Sequence, residues 1–83
     1  MILIHFVLHD IDKAIRNPVI EKLASILKPG GRLIIREPVS DSHGMPGDEV
    51  RQLMQENGLA EQSFIRRKIL LFIPVVEGIY YKN

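Results

Sequence analysis

Three histidines and the acids around them are the residues of this chain best suited to chemistry. His5 and His9 stand near the start with Asp10 and Asp12 just behind them, and His43 follows in a polar stretch. Imidazole titrates near neutral pH, so it can carry a proton or bind a metal ion. None of these spacings matches a zinc motif, and carboxylates near a helix start ordinarily act as caps. The chain has no cysteine, which removes thiolate metal sites and a disulfide framework. No metal is therefore expected. Glu37 falls at the carboxyl end of an expected strand, a position that often serves a site, although Arg36 or a loop amide is a ready partner for it. Arg66-Arg67-Lys68 is a short basic run that reads as a solvated strand edge before it reads as a phosphate contact.

The elements that must position these groups are clearly punctuated. Ile2-Leu3-Ile4 and Phe6-Val7-Leu8, interrupted by His5, read as a buried strand beginning almost at the first residue. His9-Asp10-Ile11-Asp12 ends it in a polar loop. Asn17-Pro18 reads as a helix start, with Asn17 the N-cap and Pro18 the first helical residue. Ile20, Leu23, Ala24 and Leu27 then share one face. Pro29 cannot extend this helix, and Gly30 or Gly31 supplies the positive φ of a sharp reversal. Residues 33–37 follow as a second strand, in which Leu33-Ile34-Ile35 is apolar without alternation, as in a strand covered on both faces. Pro38 stops it. Strand, helix and strand in this order imply a right-handed parallel crossover.

The loop after Pro38 leaves the carboxyl end of a parallel strand, where open α/β sheets bind ligands. His43 there faces either a substrate or solvent. Residues 47–57 form a second helix, with Asp48 and Glu49 in its first turn, where the dipole favours anions. Val50, Leu53 and Met54 make its buried stripe. Asn57-Gly58 stops it, and Leu59 is placed for the apolar contact that follows such a stop. Residues 60–68 and 75–82 read as strands, with Gly78 a bulge or a close approach. Between them, Leu70-Leu71-Phe72-Ile73 is either hairpin core or an exposed apolar surface, and Pro74 breaks the run. The short connection makes the pair an antiparallel hairpin. The expected fold is α/β: about four strands, two parallel and then a C-terminal hairpin, with two main helices.

A chain of 83 residues makes one small domain, 1–83, with a limited core. Its 46% hydrophobic and 25% charged residues are ordinary for a globular domain. The net charge of +1 argues against nucleic acid as a partner. The apolar start is too short to span a bilayer and lacks the basic opening and cleavage site of a signal peptide, so no membrane partner is expected. The absence of cysteine suits a cytoplasmic setting.

Four segments fall in a telling order: Val7-Leu8-His9-Asp10, the turn from Leu27-Lys28-Pro29-Gly30-Gly31 into Arg32-Leu33, Asn57-Gly58-Leu59, and the closing Tyr81-Lys82. Together the chain resembles the C-terminal half of a class I S-adenosylmethionine-dependent methyltransferase, and the glycine-pair turn is the most specific match. The resemblance implies a Rossmann-like sheet of seven strands whose last is antiparallel. The first strand here would be the family's fourth, residues 33–37 its fifth, and the hairpin its sixth and seventh. The family's Gly-rich turn and its ribose-binding acid, which grip the cofactor, have no counterpart. Gly30 and Gly31 lie between a helix and a strand, at the other end of the sheet.

In that family the segment after the fourth strand lines the pocket beside the methyl group. Carried over, this makes His5 and Phe6 candidate cofactor-binding residues and His9 the candidate catalytic residue, as a base or as a group that orients substrate. Each has a plainer reading as well: Phe6 as core, His5 as a half-buried strand residue, His9 as a cap for the loop. Methyl transfer from a sulfonium asks chiefly for alignment, exclusion of water and sometimes a base. The implied cofactor is S-adenosylmethionine, held weakly or not at all by this chain alone, with a second chain supplying the missing N-terminal half. The alternative function is a non-catalytic homodimeric assembly module. Its first strand would lie at a bare sheet edge, a template for another strand. Residues 2–7 would pair with their copy antiparallel across a two-fold axis.

Overall fold

The apolar runs at the start of the chain and after the glycine pair are where the sheet forms. β1 (Ile2–His5) lies parallel to β2 (Arg32–Pro38), with Ile2 opposite Leu33 and His5 opposite Arg36. β3 (Leu59–Ile69) and β4 (Ile73–Lys82) form an antiparallel hairpin. β4 also runs antiparallel to β2, from Arg32 opposite Tyr81 to Pro38 opposite Val75. The strand order is β1-β2-β4-β3, so β2 is flanked by the opening and closing strands, as the sequence implies. The computed structural model describes residues 1–39, 45–70 and 72–83.

α1 (Lys13–Ile26) crosses from β1 to β2, and α2 (Gly47–Glu56) from β2 to β3. α1 begins well before the expected Asn17 cap, with Asp12 as its flanking residue and the Ile15 amide donating to the Asp12 carbonyl at 2.9 Å. The reason is Arg16. It is buried, and it donates from Nε to the Ile11 carbonyl at 2.9 Å and from Nη1 to Glu49 at 2.8 Å. Those partners require Arg16 to lie on the helix, one turn before Ile20. Pro18 is tolerated inside α1 because it and Ala14, whose carbonyl it cannot bond, are both exposed. Asn17 instead accepts a side-chain hydrogen bond from Asn57 at 2.9 Å.

The helix ends as the sequence indicates. Gly30 takes the positive φ, +82°, and Gly31 is needed for space, since a Cβ there would lie 2.8 Å from the Lys28 carbonyl oxygen. The turn is tied to the end of β4: the Gly30 amide donates to Lys82 O at 2.7 Å, and Lys82 Nζ donates to Ala24 O and Leu27 O, both at 2.9 Å. An ammonium group is well placed on these free carbonyls of a helix C-terminus.

Period-two alternation sends Ile4, Leu33, Ile35, Val76 and Tyr80 to one face of the sheet, where they meet Ile20 and Ala24 of α1 and Val50, Leu53 and Met54 of α2. Both helices therefore cover the same face. The expectation that β2 is covered on both faces is not met. On its other face Leu3, Ile34 and Ile79 lie side by side across three strands, flooring a shallow groove with His5, Arg36 and Glu77 at its rim. Ile34 is half-buried by these lateral neighbours rather than by a helix. Gly78 is a close approach, with the Tyr80 ring over it, and the bulge falls instead in β3 between Glu61 and Ser63. At the hairpin tip Leu70 and Phe72 are exposed, so they are not hairpin core, and Leu71 lies outside the described residues. Among the described residues no helix is long and apolar enough to cross a membrane.

Candidate functional site

β1 and β2 are parallel, so their carboxyl ends lie together, and the candidate site is built where they end. Phe6 turns the chain out of β1 with a φ of +55°, a conformation that a non-glycine residue holds at a cost. Its amide still donates to Arg36 O at 2.9 Å, extending the β1–β2 ladder by one bond. The chain then winds into a single 3-10 turn, Leu8–Asp10. Such a turn leaves its leading amides without carbonyl partners.

Glu37 supplies those partners. Its side chain is fully buried at the end of β2. Oε2 accepts from the amides of Val7 and Leu8 at 3.0 and 3.1 Å, and Oε1 from the amide of His9 at 3.0 Å. Oε1 also lies 2.8 Å from Nδ1 of the His9 ring. Sequence reasoning left Glu37 between an arginine and a loop amide, and the structure gives it to the amides. Arg36 points to the opposite face, where its Nε lies 2.9 Å from Glu77 Oε1, off the line of its N–H bond and so an ion pair rather than a hydrogen bond.

His9 is partly open, with 27% of its side chain exposed, and its Nε2 lies 3.3 Å from Asp10 Oδ1. Behind the turn, Arg16 donates from Nη2 to the His9 carbonyl at 3.1 Å. The backbone of His9 is thus held from β2 on one side and α1 on the other. An imidazole bonded through Nδ1 to a buried carboxylate has a fixed orientation, which is what a proton-carrying group needs.

His5 and Phe6 form a separate pair. Their rings stack with centroids 4.5 Å apart and planes 2° from parallel, and the Arg36 guanidinium lies 6.0 Å from the Phe6 centroid. Phe6 is half-buried and lies outside the core cluster, so its reading as core is not met. His5 is exposed rather than half-buried. The ring contacts of Phe6 are with His5 and Arg36, and those of His9 are with Glu37 and Asp10. The structure therefore joins His5 to Phe6 and sets His9 apart. His43 lies outside the described residues. Among the described residues no three His, Asp or Glu side chains converge to hold a metal ion.

Sequence reasoning missed Arg16. Its signal was present: Arg16, Ile20, Ala24 and Leu27 follow helical spacing, which becomes visible once the helix is started at Asp12.

No family model matches the sequence. No curated protein matches it either. Solved structures do. The N-methyltransferase NodS from Bradyrhizobium japonicum, in complex with S-adenosyl-L-homocysteine, superposes with a TM-score of 0.79 at 16% identity over 96% of this chain. The 1,6-didemethyltoxoflavin-N1-methyltransferase of Burkholderia thailandensis, with bound 1,6-didemethyltoxoflavin and S-adenosylhomocysteine, superposes with a TM-score of 0.83 at 15% identity over 98%. The chain spans 44% and 42% of their lengths, respectively, less than half of each. Its four-stranded mixed sheet and two helices thus have the fold of part of a Rossmann-like S-adenosylmethionine-dependent methyltransferase.

Proposed function

We propose that this chain is the C-terminal half of an S-adenosylmethionine-dependent methyltransferase domain and does not hold the cofactor by itself. The observation that carries the reading is the strand order β1-β2-β4-β3 with the antiparallel β4 inside it, shared across nearly the whole chain with proteins that bind S-adenosylhomocysteine. His9, at the carboxyl end of the parallel strands, is the catalytic candidate. The His5–Phe6 stack offers a flat surface for a cofactor ring. A cytoplasmic setting suits a chain without cysteine.

The described residues do not fit a complete cofactor cradle. Backbone amides of a glycine turn can hold an anionic group only when they are free. The Gly30 amide is donated to Lys82 O and the Gly31 amide to Lys28 O, and this turn enters β2 at the end opposite His9. The grip on the nucleoside therefore belongs to another segment or another polypeptide. Calorimetric titration of this chain with S-adenosylhomocysteine tests the reading: no tight binding is expected alone, and binding should appear on mixing with the complementary half. Tight one-to-one binding by the chain alone would overturn it.

A second reading, a homodimeric assembly module, is favoured by one observation. β1 is an edge strand, and Leu3 on it is 63% exposed.

A further inference from the structure

We infer that Glu37 is a positioning residue that fixes the neutral His9 ring with its proton on Nδ1, leaving the lone pair on the partly exposed Nε2. Four donors converge on this one side chain from residues 28 to 30 positions away in sequence. Three of them are amides, which can only donate. A buried carboxylate that already accepts three amide hydrogens accepts the fourth as well, so Nδ1 is the donor at 2.8 Å. Which imidazole nitrogen carries the proton is set by the bond the other ring nitrogen makes. An unconstrained neutral histidine favours the proton on Nε2, so the site selects against the ring's own preference.

The surroundings support the assignment. Glu37 is fixed by its burial in β2 and by the amides of the 3-10 turn. Arg16 of α1 reaches the His9 carbonyl and not its ring. The cation Arg36 and the carboxylate Glu77 lie on the other face of the sheet. Among the described residues the remaining group facing the ring is Asp10, whose side chain is 76% exposed and so can move aside. Once Nε2 takes a proton, Asp10 Oδ1 at 3.3 Å is placed to accept a bond from it. That Nε2 serves as the proton-accepting atom in catalysis rests on the function proposed above. The tautomer does not, and it can be decided without cofactor or acceptor.

The test is a long-range ¹H–¹⁵N correlation spectrum of the ¹⁵N-labelled chain, recorded at rising pH until the His9 ring signals stop moving and the ring is neutral. Nδ1 is expected in the protonated, pyrrole-like range and Nε2 in the unprotonated, pyridine-like range. The reverse pattern at His9 would overturn the inference. In Glu37→Met, a side chain of similar length with no acceptor oxygen, the two nitrogen signals should move toward each other as the tautomers mix, while His5 stays unchanged. A folded Glu37→Met variant with the wild-type pattern would show that Glu37 is not the cause. Should that variant unfold, the wild-type spectrum still decides the tautomer. A correct tautomer in a chain that never joins a methyl-transfer reaction would sink the proposed function and leave this inference standing.

Discussion

Tyr80 shows how one buried polar atom can give the whole chain a pH dependence. Its ring fills the core beside Leu33, and its hydroxyl donates to Glu61 Oε1 at 3.0 Å. Glu61 is held in turn by Arg51 through two bonds of 3.0 and 2.9 Å. Burial pushes the phenol of Tyr80 well above its usual value, and the bond to Glu61 adds to the shift. In the unfolded chain the phenol ionises at about pH 10. The folded state keeps its proton beyond that point, so the unfolded state binds fewer protons and stability falls as pH rises. This contribution is fully present below about pH 10 and is lost progressively above it. Tyr80→Phe removes the hydroxyl and about 1 kcal/mol of net hydrogen-bond stability. Urea midpoints of the variant should therefore lie below wild type at neutral pH and converge on it between about pH 9 and 11. A constant gap across that range would contradict the assignment.

At the scale of elements, the glycine pair can be separated by substitution. Gly30 has no atom within 4 Å of an added Cβ, so Gly30→Ala meets only the strain of φ +82°. That strain costs about 1–2 kcal/mol. Gly31→Ala drives a methyl against the Lys28 carbonyl at 2.8 Å and should cost more, because backbone must shift. Thermal unfolding should rank wild type above Gly30→Ala above Gly31→Ala, with a shift of about 4–8 °C per kcal/mol in a domain this small. The turn was legible because its signals are local: a proline that cannot continue the helix and two adjacent glycines. The same holds for Asn57-Gly58, where Gly58 takes a φ of +76° and Leu59 is buried. The start of α1 was not legible, because Asn17-Pro18 is a good local start that loses to the tertiary bonds of Arg16. The Glu37 site was half legible. Its place at a strand end can be read from sequence, but its amide partners lie 28 to 30 residues away. Ile34 misled for a different reason, since lateral contact within a sheet and cover by a helix both select an apolar residue.

The whole molecule measures 37 × 25 × 16 Å, and its thin dimension is that of one sheet and one helical layer. Its two sheet edges differ in kind. β3 carries Arg66, Arg67 and Lys68 and a bulge at Glu61/Ser63, features that discourage further strand pairing. β1 carries none of these: Ile2-Leu3-Ile4 has no charge, no proline and no bulge. The assembly reading proposed above therefore expects the contact at β1, with two copies pairing antiparallel across a two-fold axis. Four residues of strand bury far less than the roughly 1,200 Å² of a stable interface, so the open face must contribute. Leu3 and the Ile34–Ile79 ladder beside it are continuous with that edge. The expected product is a concentration-dependent dimer in sedimentation velocity, one that dissociates on dilution. Leu3→Lys places a charge on the open face without touching the core under the helices, and should shift the chain to monomer while leaving its unfolding midpoint at low concentration unchanged. A wild-type chain that sediments as a folded monomer at every concentration would remove the assembly reading and leave the edge of β1 to a complementary polypeptide.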